Sequence, residues 1–235
     1  GNIEAGGTGK TPFVMALAKV MKARGTGVCI VTRGYKGRLS GPVVVSGTHG
    51  VDDVGDEAVL MARSLDVPVI KSPDRLRGAL YACAHLGAEL VILDDGFQHR
   101  WLARDMDIVL VGRNIEGERL LPAGVLREPP ASLGRADHIL ATKGADLPYP
   151  SCDLVPVCLV DLDGRLHPLE AVAKSRVLAL CAVGSPDGFF STVEGLCRAV
   201  VPLAFPDHHR YTETDAALVA RRARGVDAVL TTEKD

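Results

Sequence analysis

Apolar residues fall in short, β-branched runs at 27–32, 42–46, 67–71, 89–93, 107–111 and 138–142. Stretches at 11–24, 56–64 and 74–86 lie between several of these runs and read as helices. Runs this short and this apolar suit strands buried on both faces. Their alternation with helices predicts an α/β fold with a mostly parallel sheet and right-handed crossovers.

The rhythm breaks near Leu147, where Pro148, Pro150 and Pro156 interrupt it. Residues 154–160 and 165–167 flank Asp163-Gly164, a pair suited to a tight hairpin turn. A new strand follows at 177–183, and another at 228–231. The expected organisation is a first domain over 1–147, a β-hairpin linker over 148–170, and a smaller second α/β domain over 171–235. The glycine-rich loop near the start needs a strand feeding it, so the chain reads as cut before Gly1 and again after Asp235.

That loop, Gly6-Gly7-Thr8-Gly9-Lys10-Thr11, opens a helix and ends in the Gly-Lys-Thr of a Walker A sequence. Glycines let backbone N–H groups turn inward around phosphate oxygens, and the helix N-terminus adds positive potential. Lys10 would reach the β- and γ-phosphates, and Thr11 would offer its hydroxyl to Mg²⁺. The loop departs from the general pattern at Glu4, where a glycine is expected. An ordinary strand-to-helix turn is the plainer alternative.

Residues 89–95 form an apolar run ending in Asp94 and Asp95, the form of a Walker B strand. A carboxylate at that sheet edge can hold Mg²⁺ directly or through water. Either aspartate could touch the metal, and a solvated strand end is the alternative. Gln98 and His99 follow at the same edge. The first domain is therefore expected to be P-loop NTPase-like.

Lys+Arg of 27 against Asp+Glu of 29 gives no general pull toward nucleic acid, and 4% aromatics argues against base-stacking surfaces. No apolar stretch approaches the ~20 residues of a membrane helix, and no signal peptide is visible. The six cysteines, mostly in apolar runs, read as buried free thiols; zinc or a disulfide framework is the lesser alternative.

An ordered set of motifs resembles the lipid A 4'-kinases, the tetraacyldisaccharide 4'-kinase family. Gly1-Asn2-Ile3 precedes the phosphate loop; Thr32-Arg33-Gly34-Tyr35, Gly55-Asp56-Glu57 and Asp94-Asp95-Gly96-Phe97-Gln98-His99 follow. Leu120-Leu121-Pro122-Ala123-Gly124 with Leu126-Arg127-Glu128-Pro129, Phe189-Phe190, Phe205 with Asp207-His208, and Thr232-Glu233-Lys234-Asp235 complete it. Glu4 and Thr32 depart from the family's usual threonine and serine.

The resemblance implies two α/β domains joined by a ribbon, ATP and Mg²⁺ on the first, and a tetraacyldisaccharide 1-phosphate as acceptor through its 4'-hydroxyl. The product would be lipid IVA. It implies peripheral contact with the cytoplasmic face of the bacterial inner membrane, though no membrane-facing segment is readable here. Asp56 matches the family's proposed base; a helix N-cap is its structural alternative. His208 matches a histidine that pairs with that aspartate, which would require the domains to close; a surface loop histidine is the alternative. Arg127, beside Glu128, could bind phosphoryl or substrate phosphate oxygens, and Arg75 is a similar candidate, each with a surface ion pair as alternative.

The rival class is a P-loop ATPase acting as a regulatory switch, which would need no acceptor site. Two weaker readings remain. Thr142-Lys143 with Asp146 only loosely imitates a guanine-reading motif. Asp207-His208-His209 lacks the further aspartate motifs of the DHH phosphoesterases.

Overall fold

The structure, a computed structural model, describes residues 1–235. It divides into two compact units, Gly1–Leu154 and Val155–Asp235.

In the first unit, α1 (Lys10–Ala23) follows the phosphate loop and β1 (Val28–Thr32) follows α1. Then come β2 (Val43–Val44), α2 (Val51–Val54), α3 (Asp56–Ser64), β3 (Val69–Lys71), α4 (Arg75–Leu86) and β4 (Leu90–Leu93). Two further strands, β5 (Ile108–Val111) and β6 (His138–Ala141), complete it. One sheet has the order β2-β3-β1-β4; β5 and β6 pair separately. Every pairing in the unit's sheets is parallel except β2 with β3. All five residues of β1 are buried, as expected of a central strand covered on both faces.

The predicted sheet is thus present in two parts. Residues 1–4 run beside β5: the Gly1 nitrogen donates to Ile108 O, and Leu110 N donates to Gly1 O. On the other side Arg127 N donates to Ile3 O and Ala5 N to Val125 O. This extended segment delivers the chain into the phosphate loop. Between β4 and Ile108 lies a groove floored by Phe13, Val14 and Leu17 of α1.

Two apolar clusters anchor the strands. Val14, Met15 and Ala18 of α1 pack with Val28, Ile30, Ala58 and Met61. Ile3, Phe97, Val109, Val111 and Leu126 form the second. Full burial of one such side chain is worth roughly 1.5–3 kcal/mol, so these clusters fix the strand ends where the polar residues emerge.

The second unit opens with an antiparallel hairpin, β7 (Leu159–Val160) and β8 (Leu166–His167). The sequence boundary expected at 147/148 falls instead at Leu154/Val155, and the hairpin lies within the second unit. Next come β9 (Arg176–Cys181), α5 (Pro186–Glu194), β10 (Ala199–Ala204), α6 (Glu213–Arg222) and β11 (Ala228–Leu230). The sheet order is β10-β9-β11, all parallel. The central β9 is the first strand of the three in the chain, so the loops following all three strands gather at one edge. All six cysteines are free; Cys29 and Cys181 are buried, whereas Cys83 and Cys158 are exposed, contrary to the apolar setting read from sequence.

Candidate active site

The phosphate loop takes its shape from two left-handed glycines, Gly6 at φ 108° and Gly9 at φ 83°. A side chain is strained at either position. Around Gly6 and Gly7 a Cβ would meet nothing within 4 Å, so the loop faces open space of the kind a ligand can enter. Thr8 is held from two directions. Asn2 Nδ2 donates to Thr8 Oγ1 at 3.0 Å, and Thr142 Oγ1 donates to Thr8 O at 3.1 Å. Glu4, the departure from the Walker pattern, is buried; its Oε1 accepts Gly112 N at 2.6 Å and its Oε2 pairs with Arg113 at 3.0 Å. The substituted carboxylate thus ties the loop's base to the end of β5.

Both aspartates after β4 stand beside this loop. Asp94 is buried, with Oδ2 accepting Thr32 Oγ1 at 3.0 Å from the end of β1. Burial, with Glu57 and Asp95 adding repulsion, pushes its carboxyl up to about 6. Asp95 Oδ1 lies 3.7 Å from Lys10 Nζ, and Oδ2 accepts Arg127 Nη1 at 2.8 Å. Burial alone would raise Asp95, but Lys10 and Arg127 outweigh it and hold the group below the ordinary carboxylate value.

Asp94 Oδ1 and Asp95 Oδ1 are buried and accept no hydrogen bond. Two orphaned carboxylate oxygens beside a threonine hydroxyl fit a hard divalent cation. Mg²⁺ keeps waters and shares phosphate oxygens, so two carboxylates and a hydroxyl are donors enough for it.

Glu57 follows Asp56 in the Gly55-Asp56-Glu57 motif, and the fold makes it central. Thr11 Oγ1 donates to Glu57 Oε1 at 3.1 Å, across 46 positions of sequence. Its neighbour Asp56 therefore sits next to the phosphate loop. Asp56 is the first residue of α3, and its Oδ1 accepts Glu57 N at 2.9 Å. The N-cap is Gly55 at φ 92°, not Asp56. A Cβ at Gly55 would lie 2.6 Å from Tyr35 O, and one at Gly34 would lie 2.4 Å from Val54 O. The Arg33-Gly34-Tyr35 turn and the start of α3 therefore touch backbone to backbone. Lys71, also missed, is buried and donates to Gly37 O at 2.9 Å and to Leu39 O, bracing the same turn. Its place at the end of the apolar 67–71 run is the sequence signal that it is covered.

Arg75 is buried, which removes the surface ion pair that was its alternative. Its Nη1 donates to Ser72 O and Pro73 O, both at 3.2 Å, and its Nε has no acceptor. Burial pulls the guanidinium pKa down while Asp94 and Asp95 oppose that pull, so it adds positive charge to the carboxylate pair. Burial and the same Arg75 push His99 below its ordinary value. Gln98 turns instead to Asn2 O at 2.8 Å and Glu128 Oε1 at 3.1 Å. Glu128 is gripped by Arg135 at 2.8 and 3.1 Å, which lowers its pKa. Arg127 is thus the member of its pair that reaches the aspartates.

His208 belongs to the second unit, in the loop after β10, at φ 57°. Its side chain is largely covered, and Nε2 lies 3.6 Å from Asp207 Oδ2.

The model of the family described as Tetraacyldisaccharide-1-P 4'-kinase matches residues 1–235. A tetraacyldisaccharide 4'-kinase of Syntrophus aciditrophicus is 39% identical over 272 residues, covering 100% of this chain and 73% of its own. One from Chromobacterium violaceum is 38% identical, with 100% and 71% covered. A crystal structure of LpxK from Aquifex aeolicus, described as an "apo" form in complex with ATP, matches with TM-score 0.76 and 34% identity over 100% of this chain and 76% of that one. The relatives are kinases, and the regulatory-switch reading finds no support among them. With the resemblance running over the whole chain and both units, the chain belongs to the tetraacyldisaccharide-1-P 4'-kinase family.

Proposed function

We propose that the protein transfers the γ-phosphoryl group of ATP to the 4'-hydroxyl of a tetraacyldisaccharide 1-phosphate, giving lipid IVA and ADP. The observation that carries this reading is the Thr11–Glu57 hydrogen bond, which puts the start of α3, and so Asp56, beside the phosphate loop.

The loop amides of 6–11 and Lys10 grip the donor phosphates. Arg127 and Lys10 flank Asp95 and keep it ionised. Asp56 accepts the proton of the acceptor hydroxyl as its oxygen bonds to the γ-phosphorus and the bond to the departing ADP oxygen breaks. Asp94, Asp95 and Thr11 would hold Mg²⁺, which would neutralise charge on the phosphoryl oxygens. Arg75 and His99 extend the donor site behind the aspartates, and Gln98 and Glu128 fix the loop carrying Arg127. His208, in the loop after β10, is a further catalytic residue of this reading.

No helix is long and apolar enough to cross a membrane. The acylated acceptor calls for peripheral contact, at the cytoplasmic face of the bacterial inner membrane. Incubation with labelled ATP and disaccharide acceptors differing only at the 4' position tests the reading. Label must enter the acceptor with a free 4'-hydroxyl and not its 4'-deoxy analogue. Label in both, or ATP consumption independent of acceptor, would refute it.

A further inference from the structure

The Thr232-Glu233-Lys234-Asp235 motif takes no part in the chemistry above, yet the fold brings its last two side chains to the loop that carries His208. We infer that Lys234 and Asp235 are positioning residues for His208, an inference that rests on the reading of His208 as a catalytic residue.

The loop runs from Phe205 to Tyr211 at the edge of the three-stranded sheet. Its backbone has two fastenings, Phe205 N to Cys181 O at 2.8 Å and His208 N to Ala182 O at 3.3 Å. His208 itself occupies the left-handed region, at φ 57°, a conformation that costs a non-glycine residue energy and persists only where its surroundings enforce it. His209 Nε2 adds a contact to Asp215 Oδ2 of α6 at 3.0 Å. Further constraint comes from the residues after β11.

Lys234 Nζ donates to Asp207 Oδ1 at 3.2 Å, and the other oxygen of that carboxylate faces His208 Nε2 at 3.6 Å. One carboxylate thus stands between a largely buried ammonium and the imidazole. The ammonium sets which way the carboxylate turns, and the carboxylate sets the imidazole's surroundings. Asp235 works from the opposite end of the loop. Its side chain accepts Tyr211 Oη at 3.0 Å and Thr232 Oγ1 at 2.6 Å, and both its oxygens lie 3.1 Å from Ala182 N. It therefore clamps the end of β9 to the end of the histidine loop. Tyr211 in turn packs edge-on against Phe205 and His209, whose rings stack at 4.8 Å. The motif is a brace that holds both ends of a strained loop while leaving the histidine in place to act.

The test compares Lys234→Met, Lys234→Arg and His208→Ala, with Lys234→Met also made in the His208→Ala background. Phosphoryl transfer to the disaccharide is assayed, with melting temperatures recorded for each protein. Misplacement of a catalytic group by about 1 Å can cost 10²-fold. The expected result is a kcat lower by about 10- to 100-fold for Lys234→Met at unchanged KM for ATP. Lys234→Arg restores most of the rate. Lys234→Met causes no further loss once His208 is gone, which a merely structural lysine would not do. An equal loss in the His208→Ala background, or full activity of Lys234→Met, overturns the inference while leaving His208 in place. Full activity of His208→Ala overturns the reading of His208 itself, and this inference with it.

Discussion

Thr32, the last residue of β1, donates its hydroxyl to Asp94 Oδ2 at 3.0 Å, while Asp94 Oδ1 accepts nothing. A buried carboxylate with one partner and two acidic neighbours resists ionisation, and its pKa stands at about 6 against an ordinary 3.8. In metal-free protein the folded state therefore keeps this proton to higher pH than the unfolded chain. That stabilisation is complete below pH 3.8 and is lost as pH rises through about 6. The shift corresponds to something on the order of 3 kcal/mol. With a chelator present, the melting temperature of the parent should fall relative to Asp94→Asn across that window. Parallel curves for the two proteins would contradict the assignment.

The Thr11–Glu57 contact supplies a second prediction. Glu57→Gln keeps an oxygen for the threonine hydroxyl but removes a charge that presses on Asp94. Groups that stand behind metal ligands are worth about 10–100-fold in affinity. The half-saturating Mg²⁺ concentration should rise by that factor with the fold intact, as read by circular dichroism. An unchanged Mg²⁺ requirement would remove Glu57 from the site.

Gly55 gives a test that concerns stability first. Gly55→Ala must place a Cβ 2.6 Å from Tyr35 O at φ 92°. Strain of this kind costs about 1–3 kcal/mol. Denaturant unfolding should register that loss, and turnover should fall with it because α3 begins at Asp56. A neutral substitution would show that the turn at Gly34 and the start of α3 are not locked together.

Arg127 carries a fourth prediction. Its bond to Asp95 is 2.8 Å, and Lys10 is the other cation holding that carboxylate. Arg127→Ala should slow phosphoryl transfer by about 10²-fold, the order found when a single charge-stabilising donor is removed. Loss of ATP binding without a change in kcat would assign Arg127 to the donor grip alone.

The chemistry that depends on local sequence was legible beforehand. Glycines at 6 and 9 encode the loop because their φ strains any side chain, and an apolar strand ending in Asp94-Asp95 announces itself. What was hidden depends on contacts distant in the chain. Thr32 meets Asp94 across 62 positions because β1 and β4 pair in parallel, and Glu57 meets Thr11 across 46 because α3 starts beside α1. The surface ion pair stood as an alternative for Arg75 because helical spacing alone does not say which face of α4 turns inward. The N-cap that stood as the alternative for Asp56 belongs to Gly55, at φ 92°. Glu128 looked like a partner of the chemistry because it adjoins Arg127, but Arg135 claims it.

The account stands on Asp56 being the base for an acceptor that arrives beside the phosphate loop. The most direct measurement is kcat for Asp56→Asn alongside its affinity for ATP by calorimetry. Loss of a general base should lower kcat by about 10²-fold or more while ATP binds as in the parent. A variant that turns over at the parent rate, or that loses ATP binding together with turnover, would contradict it.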